Sequence, residues 1–222
     1  MTASPLSRPL RAAALAVALL GGAAMSAQAA DAYLATGFPY LVFGASQPVS
    51  DSITLRGDWG TVGHHSYTGS TSDNDYSGTL KYDRLGLFAD WFASGNFRLT
   101  GGLTVNHGST TMVAASKNNQ ITIGGQVYNY TGDVTSTITL PDATPYVGLG
   151  WGHAASTAPG FAFHADLGVS IGKPKATPLK AEGQVAQYVS PEALAEEDRK
   201  FQSGVNDVKA IPQLTVGVIY RF

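Results

Sequence analysis

The 222-residue chain contains no cysteine, which excludes a disulfide framework and any thiolate-ligated zinc or iron–sulfur centre. Charge is scarce too. Its 14 Lys and Arg and 16 Asp and Glu make up 14% of the residues, where a soluble domain carries about a quarter. A formal net charge of −2 leaves no basic footprint for phosphates, so nucleic acid is excluded as a partner. Beyond residue 30 no apolar run approaches the roughly 18 residues of a membrane-spanning helix. Intrinsic disorder is excluded as well, because 44% of the residues are hydrophobic and disorder needs few apolar residues with high net charge. What the chain has in excess is glycine, 26 of 222, against a usual share of about 7%.

The first 29 residues read as an export signal. Arg8 and Arg11 precede an apolar run from Ala12 to Met25, and Ala27-Gln28-Ala29 follows as a small-residue cleavage site. This is the order of a cleavable secretory signal, with a core too short to serve as an anchor. Cleavage after Ala29 leaves residues 30–222 as one domain with 12 basic and 16 acidic residues, a net charge of −4.

The rest of the chain alternates with period two. Leu214, Val216, Val218, Tyr220 and Phe222 share one face of the last segment, and Gln213, Thr215, Gly217, Ile219 and Arg221 the other. Phe161 to Ile171 sets apolar residues against His164, Asp166 and glycines. The same holds for 145–152, for 97–106 (Arg98 on the polar side), for 84–91 (Arg84 and Asp90) and for 53–59 (Arg56 and Asp58). A water-soluble sandwich also alternates, but its outward face favours Lys, Glu and Thr. Glycines with isolated charges fit the lumen of a membrane barrel, with the apolar face turned to lipid. Aromatics at segment ends (Trp59, Trp91, Phe92, Phe97, Trp151, Phe161, Tyr220, Phe222) suit interfacial girdles. Lipid cannot satisfy backbone groups, so such strands must close on themselves.

The expected fold is therefore all-β: a single eight-stranded antiparallel up-and-down transmembrane β-barrel. Strands are expected at about 34–45, 52–62, 78–92, 97–113, 134–151, 160–173 and 210–222. The eighth comes from splitting 32–46 near Gly37-Phe38-Pro39, because bacterial barrels have even strand numbers. Links 63–77, 107–133 and 175–209 are long, hence extracellular, while 46–51, 93–96 and 153–159 are short, hence periplasmic. Within the second long link, Ile121 to Tyr128 with Gly124-Gly125 at its centre reads as a small hairpin. In the third, Ser190-Pro191-Glu192 reads as an N-cap, a Pro at N1 and a first-turn acid, opening a short helix to about Gln202.

With apolar residues outward, the lumen receives Arg56, Asp58, Arg84, Asp90, Arg98, His164, Asp166 and Arg221. An eight-stranded barrel is only wide enough to be filled by side chains, and unpaired charges inside it cost several kcal/mol. They are expected to pair, Asp166 with Arg221 among them, either as a plug or as the lining of a narrow pore. Gly148, Gly150, Gly152, Gly168, Gly172 and Gly217 open a slot on one side of such a lumen, or else relieve crowding in a tightly bent wall.

Residues 145–222 resemble a known group. Pro145-Tyr146-Val147-Gly148-Leu149-Gly150-Trp151-Gly152, Asp166-Leu167-Gly168, Gly172-Lys173-Pro174-Lys175, the acidic Glu196-Glu197-Asp198, and Pro212 with Val216-Gly217 are similar to the CarO-type small outer-membrane barrels. OmpA-like and OmpW-like barrels share much of this grammar. The resemblance implies an outer-membrane protein taking up ornithine and other basic amino acids and admitting carbapenems. The terminal Phe222, with Tyr220 and Val218 before it, resembles the assembly signal of outer-membrane barrels, which implies the barrel-assembly machinery, outer-membrane lipid and lipopolysaccharide as partners. Glu192, Glu196, Glu197 and Asp198 suit attraction of small cationic solutes, although a solvated helix face explains any single one of them better.

Two other classes compete. His107-Gly108-Ser109 resembles the His-x-Ser pair of lipid A deacylases, but neither Asp133 nor Asp142 is set by spacing to orient the imidazole, and no enzyme is expected. The polar, aromatic segment 63–77 suits an adhesive or structural barrel whose loops bind envelope or host partners. His64-His65 points its two rings in different directions and reads as loop composition; neither a resident metal nor a cofactor is expected.

Overall fold

The structure, a computed structural model, describes residues 30–154 and 158–222; the expected signal peptide, 1–29, lies outside them. The chain forms β1 (Asp31–Phe38), β2 (Leu41–Ser50), β3 (Ile53–Ser70), β4 (Asn74–Ser94), β5 (Phe97–Ser116), β6 (Ile121–Ile123), β7 (Gln126–Tyr128), β8 (Gly132–Thr139) and β9 (Ala143–Trp151). These are followed by β10 (Gly160–Ile171), β11 (Lys175–Ala176), β12 (Lys180–Gly183), a 3₁₀ turn at Gln184–Gln187, α1 (Pro191–Asp207) and β13 (Ala210–Arg221).

Eight strands close a ring. Each of β1 to β4 pairs antiparallel with the next, β5 pairs with β9, β9 with β10 and β10 with β13, and β13 returns to β1. The expected split of the first segment occurs at Pro39-Tyr40, between β1 and β2. Ring closure leaves no sheet edge within the wall, the condition lipid imposes on a spanning sheet.

The sidedness is that of a membrane barrel. Leu87, Leu103, Val147, Phe161 and Phe163 are exposed, the last two about 80%, whereas Asp90 and Arg98 are wholly buried. Aromatics collect at the short-turn end, where Tyr220 lies 5.0 Å from both Phe161 and Phe222. A continuous apolar outer wall of this extent calls for a lipid surround rather than water. Among the described residues no helix is long and apolar enough to cross a membrane.

Segments expected as loops are partly sheet. β3 and β4 run on as a hairpin to Ser70 and Asn74, and β5 reaches Ser116. The expected strand 134–151 is two strands, β8 above β9, both on β5. The break falls at Leu140-Pro141-Asp142, where Pro141 has no N–H to give the ladder. β6 and β7 form the expected hairpin around Gly124 and Gly125, both at positive φ, the pair of left-handed residues that a two-residue turn requires. Ser190 caps α1 by accepting from Ala193 N, and the helix runs five residues past Gln202, to Asp207.

These outer elements form a cap with its own hydrophobic core. Ile121, Ile123, Val134 and Val185 are its buried members, with Tyr128, Leu179 and Leu194 packed around them. Tyr130 stacks on Tyr188 at 3.9 Å.

Candidate functional site

The lumen is the candidate site. Alternation directs Asp31, Tyr33 and Ala35 of β1, Arg56 and Asp58 of β3, Arg84, Phe88 and Asp90 of β4, Arg98 and Thr100 of β5, and His164 and Asp166 of β10 inward, and all of these are buried. Seven of the eight charged or histidine residues expected in the lumen are among them. The eighth, Arg221, is half-buried at the short-turn mouth.

Three arginines face three aspartates in the barrel's interior, in two groups. In the lower one, nearer the short turns, Arg56 Nε lies 2.5 Å from Asp90 and its Nη2 3.2 Å from Asp166. Arg98 grips Asp166 through both terminal nitrogens, each at 2.9 Å, and also reaches Asp90 at 3.2 Å. Thr100 Oγ1 donates to Asp90 at 2.7 Å, and Arg98 Nε donates to the Gly152 carbonyl. The paired forks of guanidinium and carboxylate give the strongest geometry open to such groups. In the upper group, Arg84 Nη2 donates to Asp58 at 3.2 Å and its Nη1 forms an ion pair with the same carboxylate at 3.0 Å, while Tyr33 OH donates to that carboxylate at 3.1 Å. Phe88 separates the groups, with Arg56 and Arg84 over its ring at 5.2 and 5.3 Å, while Arg84 also lies 4.6 Å from the Tyr40 ring centre. Each buried cation therefore has a carboxylate and an aromatic or polar neighbour, which offsets the several kcal/mol of desolvation per ion.

Above Arg84 the interior is neutral and polar. Tyr82 donates to Asn106, which donates to Thr144 and to the Pro141 carbonyl. Gln213 donates to Ser170 and accepts from Tyr40. A cavity of about 20 Å³ remains beside Tyr33, Asp58, Arg84 and Phe88, room for one or two waters.

Two sequence expectations need correction. Asp166 does not meet Arg221: Arg56 and Arg98 take Asp166, while Arg221 bonds Asp31 at 3.4 Å and the Ala154 carbonyl. The antiparallel register sets Asp166 opposite Thr215 and Arg221 opposite Gly160, six positions apart along β13. Nor do the glycines open a slot. A Cβ at Gly148 would meet the Tyr146 hydroxyl at 2.7 Å, and one at Gly150 the Arg98 guanidinium at 2.8 Å. Their missing side chains admit Tyr146, Arg98 and His164 to the lumen. The acidic stretch is mostly employed in the cap: Glu197 accepts from Gly124 N, Asp198 from Leu179 N, and Glu196 pairs with Lys200 at 2.7 Å.

His107 and Ser109 lie opposite Asp83 and Lys81 across β4. Asp133 pairs with Ala115, six positions beyond Ser109, so it does not orient His107. His64 and His65 are exposed on the β3 extension. Sequence reasoning missed Tyr33, Tyr40, Phe88 and Tyr146. Period-two parity places Phe88 and Tyr146 inward, but large aromatics on a polar face read as exceptions. It also missed His153, which a strand's alternation sends outward.

No family model matches the chain, and no curated protein does. Solved structures do, by fold, two of them CarO proteins. Acinetobacter baumannii CarO superposes with a TM-score of 0.62 at 14% identity, over 88% of this chain and 97% of its own. The architecture is that of CarO. Acinetobacter baumannii CarO2 gives 0.65 at 15% identity, over 87% and 98%. At that coverage these likenesses extend well beyond the 145–222 block in which the sequence resemblance lies.

Proposed function

We propose that the protein is an outer-membrane barrel acting as a narrow, gated channel for small polar or cationic solutes. The observation that carries this reading is the lumen's lining: hydrogen-bonding and charged side chains follow one another from Asp31 and Arg221 at one mouth to Asn106 and Gln213 at the other. A barrel needing only to stand in lipid fills its interior at lower desolvation cost with apolar side chains. The Arg84–Asp58 pair is the natural gate, since Arg84 has one carboxylate partner while Arg56 and Arg98 each have two. With the pair closed, the remaining cavity holds only a water or two.

On this reading the short-turn end faces the periplasm and the cap faces outward, as long links do in such barrels. Phe222, Tyr220 and Val218, at the lipid face of the strand that closes the ring, serve as the assembly signal read by the barrel-assembly machinery. Lipid and lipopolysaccharide contact the apolar wall, residues 1–29 direct export, and the protein is not an enzyme. The CarO-type resemblance of 145–222 supports basic amino acids as the solute class.

The test is planar-bilayer recording of the refolded protein with and without basic amino acids. Wild type is expected to open rarely, and Arg84→Ala to raise open probability at least several-fold with folding retained. Silence in both, with no solute entry into liposomes, would overturn the channel reading.

One observation favours a second reading, a non-conducting barrel that binds a partner through its cap. β2 pairs with β3 only as far as Thr61, so from Gly63 to Ser70 the edge of β3 away from β4 is unpaired among the described residues, and the segment is exposed throughout. Bare edges invite an added strand. Deleting 64–80, on this reading, abolishes surface binding, and bilayers stay silent with or without the segment.

A further inference from the structure

Where β9 ends, two successive residues adopt left-handed backbone, Gly152 (φ 94°) and His153 (φ 65°). This conformation is uncommon outside glycine. It swings the His153 side chain into the bottom of the lumen, where it is fully buried. The ring there meets that of His164, centroids 4.7 Å apart and planes at 61°. Tyr33 stands edge-on to both, at 4.7 and 5.3 Å.

Each imidazole is held through Nδ1. His164 Nδ1 lies 3.2 Å from Asp166 Oδ2. A carboxylate gripped by two guanidiniums only accepts, so in the neutral ring of His164 the proton sits on Nδ1 and Nε2 is the nitrogen that can ligate. His153 Nδ1 lies 3.1 Å from Ser46 Oγ. Both Nε2 atoms are buried, and neither has a hydrogen-bond partner. Buried polar atoms in that state are rare and call for an explanation. Gly217 leaves the room: a Cβ there would stand 2.5 Å from His164 Nε2.

We propose that His153 and His164 bind a transition-metal cation of the zinc or copper class through their Nε2 atoms, with Asp166 and Ser46 as positioning residues. A metal-bound histidine usually gives its other ring N–H to a carboxylate or similar acceptor, which fixes tautomer and ring angle. Imidazole nitrogens select zinc, copper and nickel over magnesium and calcium. One candidate ligand atom from each of His153, His164 and Asp166 falls within 4.8 Å of the others. Asp166 already serves Arg56 and Arg98, so it orients rather than ligates. Asp90 and Asp166 balance the two guanidiniums, and the cation enters a pocket with no net charge of its own.

The chain has five histidines, which makes the test clean. In an untagged protein folded in detergent and stripped with EDTA, His64, His65 and His107 are replaced by Ala, leaving the proposed pair. Zn²⁺ titrated into this protein is expected to bind once per chain by calorimetry. Cu²⁺ is expected to give an electron paramagnetic resonance spectrum split by two nitrogens. Adding His153→Ala or His164→Ala should abolish stoichiometric uptake, and Ser46→Ala should weaken it about tenfold. Heat-modifiable gel mobility establishes that each variant is folded. Should His164→Ala fail to fold, His153→Ala and Ser46→Ala carry the test, since both leave the arginine–aspartate pairs intact. No uptake by the folded parent, or uptake that survives loss of either histidine, would overturn the site; unchanged affinity in Ser46→Ala would remove that residue from its role.

Discussion

The barrel and its cap are built on the same strands with opposite polarity. On β4 the outward positions Trp91, Ala89, Leu87 and Leu85 are apolar, and the next ones up, Asp83, Lys81, Thr79 and Ser77, are polar. β5 changes at the same height, from Phe97, Leu99, Leu103 and Val105 to His107, Ser109 and Thr111; the register pairs Leu85 with Val105 and Asp83 with His107. The inward face does the reverse, Arg98, Thr100, Thr104 and Asn106 giving way to Met112 and Ala114 beneath the cap core. The pleat is unbroken across the change, so backbone geometry does not cause it. The surrounding medium does: lipid below, water above. Trp59, opposite Leu85, marks the level, where an amphipathic ring belongs. From Phe97 to Val105 is roughly 27 Å of strand, or close to 20 Å of bilayer at the usual tilt.

The sharpest way to break the lower half is to remove one of its charges. Asp90→Ala leaves Arg56 and Arg98 sharing Asp166 in a buried site. Breaking a buried pair costs about 3–5 kcal/mol, and urea unfolding of the barrel in micelles should lose stability of that order. In the cap the equivalent injury is a cavity. Ile121→Ala should cost about 2–5 kcal/mol, but locally: limited proteolysis should cut the cap early while heat-modifiable mobility of the barrel stays unchanged. Should the two halves melt together, the cap is not a separate core.

The boundary itself can be probed with one residue type. Leu103→Arg faces lipid and should destabilise by about 2–4 kcal/mol. Thr111→Arg, on the same strand with the same parity, faces water and should stay within about 0.5 kcal/mol of wild type. Equal effects at both positions would remove the change of medium from the account.

Most of the barrel was legible because period two and terminal aromatics are local signals. Arg98 and Asp90 read as inward from their neighbours alone. The partners did not read, because pairing across the ring depends on register, and register is set by closure of β13 on β1, some 190 residues apart in sequence. The glycines at 148 and 150 misled for a related reason: a missing side chain looks like space until the neighbour that fills it is placed. The sheet extensions were hidden by the change of medium, since a strand whose faces exchange polarity partway loses its pattern where the exchange occurs. His153 had no signal, because its direction is set by two left-handed residues.

The smallest expected effect lies on the cap's surface, and it separates a charge pair in water from one in the lumen. Glu196 and Lys200, one helical turn apart on α1, approach to 2.7 Å with both side chains exposed. The hydrogen bond and charge of Lys200 hold the Glu196 carboxyl below its ordinary value, and the same contact raises Lys200. A depressed carboxyl contributes stability above its unfolded pKa and loses it as pH falls through the folded one. The contribution is therefore complete at neutral pH and fades only in acid. Exposed pairs of this kind are screened by salt and often contribute nothing measurable. Glu196→Gln should leave the proteolytic stability of the cap unchanged at neutral pH and physiological salt, and any difference seen at low salt should vanish on acidification. A loss comparable to that of Asp90→Ala would mean the α1 surface is desolvated by something resting on it, and the cap would then be an interface.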